Sequence, residues 1–120
     1  MNDIAQYFKK SEFTCKCGCG FSDISVRLVH ELDKVRELLG RQLIITSGCR
    51  CSDHNRQAGG KENSDHLKGL AADLRVNSSI ARFEVLQALL MVGISRIGIG
   101  ENFIHVELND SKPQQVVWLY

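Results

Sequence analysis

The chain has 120 residues, 43% of them hydrophobic, with 15 basic and 14 acidic side chains and a formal charge of +1. That length and apolar content suit one domain, residues 1–120, with a core of its own, and they exclude a disordered chain or a repeat array. The charges are interspersed in sign, so no basic stripe marks a nucleic acid partner and no polybasic patch marks a membrane surface.

The opening MNDIAQYFKK lacks the apolar run of a secretion signal, and no later apolar stretch approaches the roughly 20 residues that span a bilayer. The expectation is a monomer made in the cytoplasm, without a signal peptide or an integral membrane segment. Five cysteines follow in two groups, CKCGCG (Cys15, Cys17, Cys19) and CRC (Cys49, Cys51). An odd count cannot close completely into disulfides within one chain. Thiolates favour tetrahedral zinc, but C-x-C-x-C lacks the spacer of roughly two to four residues usual in structural zinc sites. Reduced thiols, or one bridge between the two groups, are the favoured readings; a zinc-ribbon interaction module is a weaker one.

Residues 24–39, ISVRLVHELDKVRELL, place Ile24, Leu28, Leu32, Val35 and Leu39 at helical spacing, with charges opposite and Gly40 as a stop. This is an amphipathic helix packed on a core, and His30 and Glu31 within it are assigned no role. QLIITSG, residues 42–48, reads as a short β-branched strand running into a turn. Residues 49–68 have almost no hydrophobic periodicity and are rich in Ser, Asp, Asn, Gly and His. A loop of about 20 residues is unusual in a compact domain unless it carries function.

LAADLRV, residues 70–76, is strand-like, and NSSIARFEVLQALLMVG, residues 77–93, is helical, with Asn77 or Ser78 as cap and Gly93 as stop. RIGIG (96–100), NFIHVEL (102–108) and VVWLY (116–120) read as three further strands, whose short connections favour antiparallel neighbours. The expected fold class is α+β: a small, mostly antiparallel sheet packed with two main helices.

NSDHLKGLAADL, residues 63–74, sets His66 at the end of the long loop and Asp73 in the strand that follows. Gly69, Ala71 and Ala72 are small enough for a tight turn and a close approach, so both side chains can face one cation. A catalytic zinc needs a third protein ligand and an open position for water. His105 supplies the third if its strand lies antiparallel to residues 70–76, which would make an open His, Asp, His site. Spacing alone leaves a solvated loop and a core histidine as alternatives.

The wider pattern resembles a known family. Residues 64–73, S-D-H-L-K-G-L-A-A-D, fit S-x-H-x-x-G-x-A-x-D, which looks like the signature of the zinc D-Ala-D-Ala peptidases and phage L-alanyl-D-glutamate endopeptidases that cut peptidoglycan. ITSGCRCSDHNRQAGG (45–60) is similar to that family's S-G-Y-R segment followed by His-Asn and Gly-Gly. RIGIGENFIHVEL resembles its terminal histidine strand, while SEFTCKCGCG and KPQQVVWLY look like the ends of compact phage and prophage members.

The resemblance implies the small Hedgehog/DD-peptidase-like fold, with Zn2+ held by His66, Asp73 and His105. It implies that Ser64 lies at the rim, binding substrate or orienting the loop, and that Arg50 stabilises an oxyanion or holds a substrate carboxylate. His54 reads as a loop-ordering residue. Cys49 stands where the family has tyrosine, which bears on how the Arg50 loop packs.

The general base departs from the pattern. Part of the family has a carboxylate three residues before the last histidine; here that position is Asn102, which cannot serve. In a straight strand Glu101 would share a face with His105 at about 13 Å, and it could reach the site only if the chain bends near Gly98 and Gly100. Glu107, roughly 7 Å along the strand, could orient a ligand or act as base itself. Glu101 is the favoured candidate.

The function so implied is a zinc metallopeptidase that hydrolyses an amide bond in peptidoglycan stem peptides, of D-Ala-D-Ala carboxypeptidase or L-Ala-D-Glu endopeptidase type. It would act on the cell wall after holin-type release or as a virion component. The alternative, motivated by Asn102, is a non-catalytic phage structural or assembly protein that retains the fold and the metal site.

Overall fold

The computed structural model describes residues 5–120. Two long helices form where the apolar spacing and caps predict them. Helix α1, Val26–Leu39, starts at Ser25, whose side chain accepts from the Leu28 amide, and stops at Gly40 with φ 67°. It buries Leu28, Val29, Leu32 and Val35 along one stripe. A second helix, Ser79–Val92, is capped by Ser78 through the Ala81 amide and stopped by Gly93 in the left-handed region.

Between them, residues 49–68 are not a featureless loop. They contain a six-residue helix, Ser52–Gln57, and a 3-10 turn, Asp65–Lys68. We number the helices in chain order, so Ser52–Gln57 is α2 and Ser79–Val92 is α3. Helix α2 escapes an apolar-periodicity reading because it buries only Asn55 and depends on its cap. No helix among the described residues is long and apolar enough to cross a membrane.

Five strands, β1 Ile45–Ser47, β2 Ala71–Arg75, β3 Arg96–Ile99, β4 Phe103–Glu107 and β5 Val116–Leu119, form one sheet in the order β1-β2-β4-β3-β5. The first three pairings are antiparallel, and β3 pairs with β5 in parallel. The parallel strand corrects the expectation of antiparallel neighbours for residues 116–120. Strand β4 already has β2 and β3 on its two edges, and the last strand joins the free outer edge of β3. Residues 108–115 carry the chain back to the start of β3, and it runs out in the same direction.

Alternation along the strands divides the sheet into two faces. Ala72 and Leu74 of β2 and Ile104 and Val106 of β4 join the helices in a core with Leu28, Leu32, Val35, Leu89 and Ile97. Their neighbours Asp73, His105 and Glu107 turn to the other face, and the antiparallel register sets Asp73 directly opposite His105.

Gly69 joins the 3-10 turn to the N-terminal segment. Its φ is +68°, its carbonyl accepts from Ser25, and an added Cβ would lie 2.0 Å from the Asp23 carbonyl oxygen. Left-handed strain and a backbone clash act together there, so Gly69→Ala should cost at least about 2 kcal/mol in urea unfolding. A loss under about 0.5 kcal/mol would show that the Asp23 segment moves aside freely.

Candidate metal centre

His66, Asp73 and His105 come from three different segments and meet on the sheet face away from the helices. His66 is 2% exposed. Its Nδ1 lies 2.6 Å from the Gly48 carbonyl oxygen, an acceptor only, so Nδ1 carries the proton. That bond fixes the ring and leaves Nε2 with a lone pair, 3.3 Å from Asp73 Oδ1. The same Oδ1 lies 2.9 Å from His105 Nδ1.

All three ligand atoms lie within 4.8 Å of one another. A tetrahedral zinc with bonds of about 2.0–2.2 Å would space its donors by roughly 3.3–3.6 Å. Two imidazole nitrogens and one carboxylate oxygen at these separations fit such a cation with little rearrangement.

The outer contacts hold each ligand in aim. Arg50 Nη2 lies 3.1 Å from Asp73 Oδ2, while its Nε donates to Ser47 Oγ at 3.0 Å and its Nη1 to Asn55 Oδ1 at 3.4 Å. The guanidinium occupies one carboxylate oxygen and leaves the other for the site. On the opposite edge of the His105 ring, Nε2 lies 2.8 Å from Glu107 Oε1, and Glu107 Oε2 accepts from Arg96 Nε at 2.8 Å.

Burial disfavours the charge on Asp73, but hydrogen bonds with His105 and His66 outweigh it and hold the carboxyl well below the ordinary range. Burial also opposes the charge on Glu107, which hydrogen bonds from His105 and Arg96 nevertheless keep low. For His105 burial lowers the pKa, yet the bonds to Asp73 and Glu107 leave it raised. Both carboxylates are therefore ionised at neutral pH, the state that metal ligation requires.

The cluster lies in a cleft of about 620 Å³. Ser64 and Arg50 line it, and Ser64 Oγ accepts from the His66 amide at 3.2 Å, so this hydroxyl orients the histidine turn. His54 lies on α2 outside the cleft lining, and its amide donates to Cys51 Sγ.

Glu101 does not reach the cleft, which corrects the preference for it as base. Gly100 N–H donates to the Phe103 carbonyl, closing a tight turn that places residues 101 and 102 at the tip of the β3–β4 hairpin. Glu101 is exposed there, and its backbone carbonyl accepts from Arg82. Among the described residues the carboxylates lining the cleft are Asp73 and Glu107. Glu107 sits across the His105 ring from Asp73, where it orients the imidazole.

Trp118 and Tyr120 were not foreseen at this site. Their rings lie 5.7 Å and 5.9 Å from that of His105 and form one wall of the cleft. Gly98, opposite both His105 and Trp118 in register, makes room: a Cβ there would lie 2.6 Å from the indole nitrogen. The two-residue spacing in VVWLY puts both rings on one face, but only the parallel pairing of β5 reveals which face that is.

Residues 6–107 match the family model described as Peptidase M15. No curated protein matches the chain.

Proposed function

The chain belongs to the peptidase M15 family, and on that premise we propose that it is a zinc-dependent peptidase acting on an amide bond of peptidoglycan stem peptides. The observation that carries this reading is the convergence of His66, Asp73 and His105 at one point of an open cleft. When bound there, zinc would polarise the scissile carbonyl and acidify the attacking water.

The chain's own groups have distinct tasks. Arg50 holds Asp73 through one oxygen, Gly48 holds His66 through its carbonyl, and Glu107 holds His105, so the three ligands stay aimed without a cation. Trp118, Tyr120 and Phe103 offer apolar surface to the alkyl parts of a peptide. Lys61 on the cleft lining and the outer edge of Arg50 supply positive charge for the carboxylates that stem peptides carry. One chain furnishes every one of these groups, so a monomer suffices; it would reach the wall by holin-type release or as part of a virion.

One observation favours a second reading, a structural or assembly protein that keeps the fold and metal without turnover. Asn102 stands where part of the family has its base, and both carboxylates in the cleft are engaged with histidines. Mass spectrometry of purified peptidoglycan treated with the zinc-loaded protein, with and without chelator, separates the two. Release of D-alanine, or new L-alanine-terminated fragments, abolished by the chelator, is the expected result. A zinc-loaded protein that yields neither would leave only the structural reading.

A further inference from the structure

Four of the five cysteines meet at a second point, outside the cleft. The Sγ atoms of Cys15, Cys17, Cys19 and Cys51 all lie within 4.8 Å of one another, with Cys15 to Cys17 at 3.4 Å and Cys17 to Cys51 at 3.6 Å. Zinc bonded to sulfur at about 2.3 Å spaces its thiolates by roughly 3.8 Å, so the quartet is close to that edge length without a cation to draw it in.

The local backbone explains how so short a spacing achieves this. In an extended strand the alternating cysteines of CKCGCG would stand about 6.6 Å apart along one face. Instead Gly18 and Gly20, at φ 86° and 90°, take left-handed conformations that fold the segment on itself. Gly18 N–H donates to the Cys15 carbonyl at 3.3 Å, and Cys15 N–H to that of Phe21 at 2.8 Å.

The fourth thiol belongs to Cys51, the N-cap of α2, and the segment leading to it is pinned where the Cys49 amide donates to the Phe13 carbonyl at 2.8 Å. Two backbone amides donate to sulfur, Cys51 to Cys15 Sγ and His54 to Cys51 Sγ, both at 3.4 Å. Such bonds favour thiolates over thiols.

Cys15 is buried and Cys51 half-buried, but apolar burial does not account for Cys17 and Cys19, which are exposed. It does account for the fifth: Cys49 is 1% exposed within the hydrophobic core and outside the quartet. The odd count thus divides into four converging thiols and one core residue.

We propose that Cys15, Cys17, Cys19 and Cys51 bind a second, structural zinc ion. With four protein ligands it leaves no open position, so it takes no part in chemistry. It ties the N-terminal loop to the residue that follows Arg50, and so fixes the segment from which Arg50 reaches Asp73. The C-x-C-x-C spacing, which argued against zinc in the sequence, is made workable by the two glycines and the distant fourth ligand.

Cobalt(II) titration of the reduced, metal-free full chain tests the proposal. The expected result is about two cobalt ions per chain, one with the intense near-ultraviolet sulfur-to-metal charge transfer of a tetrahedral thiolate site. That band should persist in His66→Ala and Cys49→Ala but vanish in Cys17→Ser/Cys19→Ser, with about one ion lost. Failure of the cleft reading would remove the other ion and leave this band intact. Absence of the band in the reduced wild-type protein overturns the proposal without recourse to any variant. So does a purified wild-type protein whose four thiols resist alkylation until a reductant is added, which would show two disulfides.

Discussion

Replacing His66 with alanine should remove zinc from the cleft and lower peptidase activity by at least about a thousandfold, well beyond the 10–100-fold typical of losing an outer partner. The ring is buried, supplies Nε2 toward Asp73 Oδ1, and is locked by the Gly48 carbonyl. No neighbour can replace it, because the remaining polar groups around Asp73 are Arg50, which cannot ligate, and His105, which is already counted. Zinc content should fall by about one ion per chain, leaving the thiolate-bound ion in place. The Gly48 carbonyl loses its partner, at a cost of about 1–3 kcal/mol, so an unfolding curve must accompany the assay. A folded variant that keeps its cleft zinc and its activity would show that the ligand set is misassigned.

Glu107→Gln and Glu101→Gln should behave in opposite ways. Glu107 accepts from His105 Nε2 and from Arg96, so the neutral amide weakens both contacts and loosens the ring that presents Nδ1. Zinc affinity should drop about 10–100-fold, and most of the activity should return at saturating zinc, as a positioning residue requires. Glu101→Gln, on an exposed hairpin tip, should change activity by less than about twofold. If Glu107→Gln instead stays about a hundredfold or more down at saturating zinc, Glu107 takes the proton itself. A large loss in Glu101→Gln would mean that the hairpin folds over the cleft during turnover.

Much of the fold was readable along the chain. The stripe Leu28, Leu32, Val35 and the caps Ser78, Gly40 and Gly93 specify α1 and α3 because helical periodicity and capping act within a few residues. The core strands were marked equally well by alternation, which also turned Asp73 and His105 onto one face. Small residues at Gly69, Ala71 and Ala72, together with the spacing of His66 and Asp73, nominated the cluster, with His105 on a strand as its third member, and the resemblance added Arg50 and Ser64.

What stayed hidden depends on partners distant in sequence. Strand β5 runs parallel because residues 108–115 lead from the end of β4 to the outer edge of β3 at the start of that strand, a fact about the whole sheet rather than about residues 116–120. Trp118 and Tyr120 enter the cleft only through that pairing. Glu101 was preferred on condition that the chain bends near Gly98 and Gly100, but the turn from Gly100 to Phe103 leaves it exposed at the hairpin tip, outside the cleft lining. The cysteines show the same limit: C-x-C-x-C is unpromising as a line of residues, whereas left-handed glycines and the docking of the β1 segment bring Cys51 to its three partners. Residue types and periods specify local elements and nominate chemistry, because they act over a few bonds. Which of the nominated groups meet is set by strand order, turn geometry and the edges left free to pair.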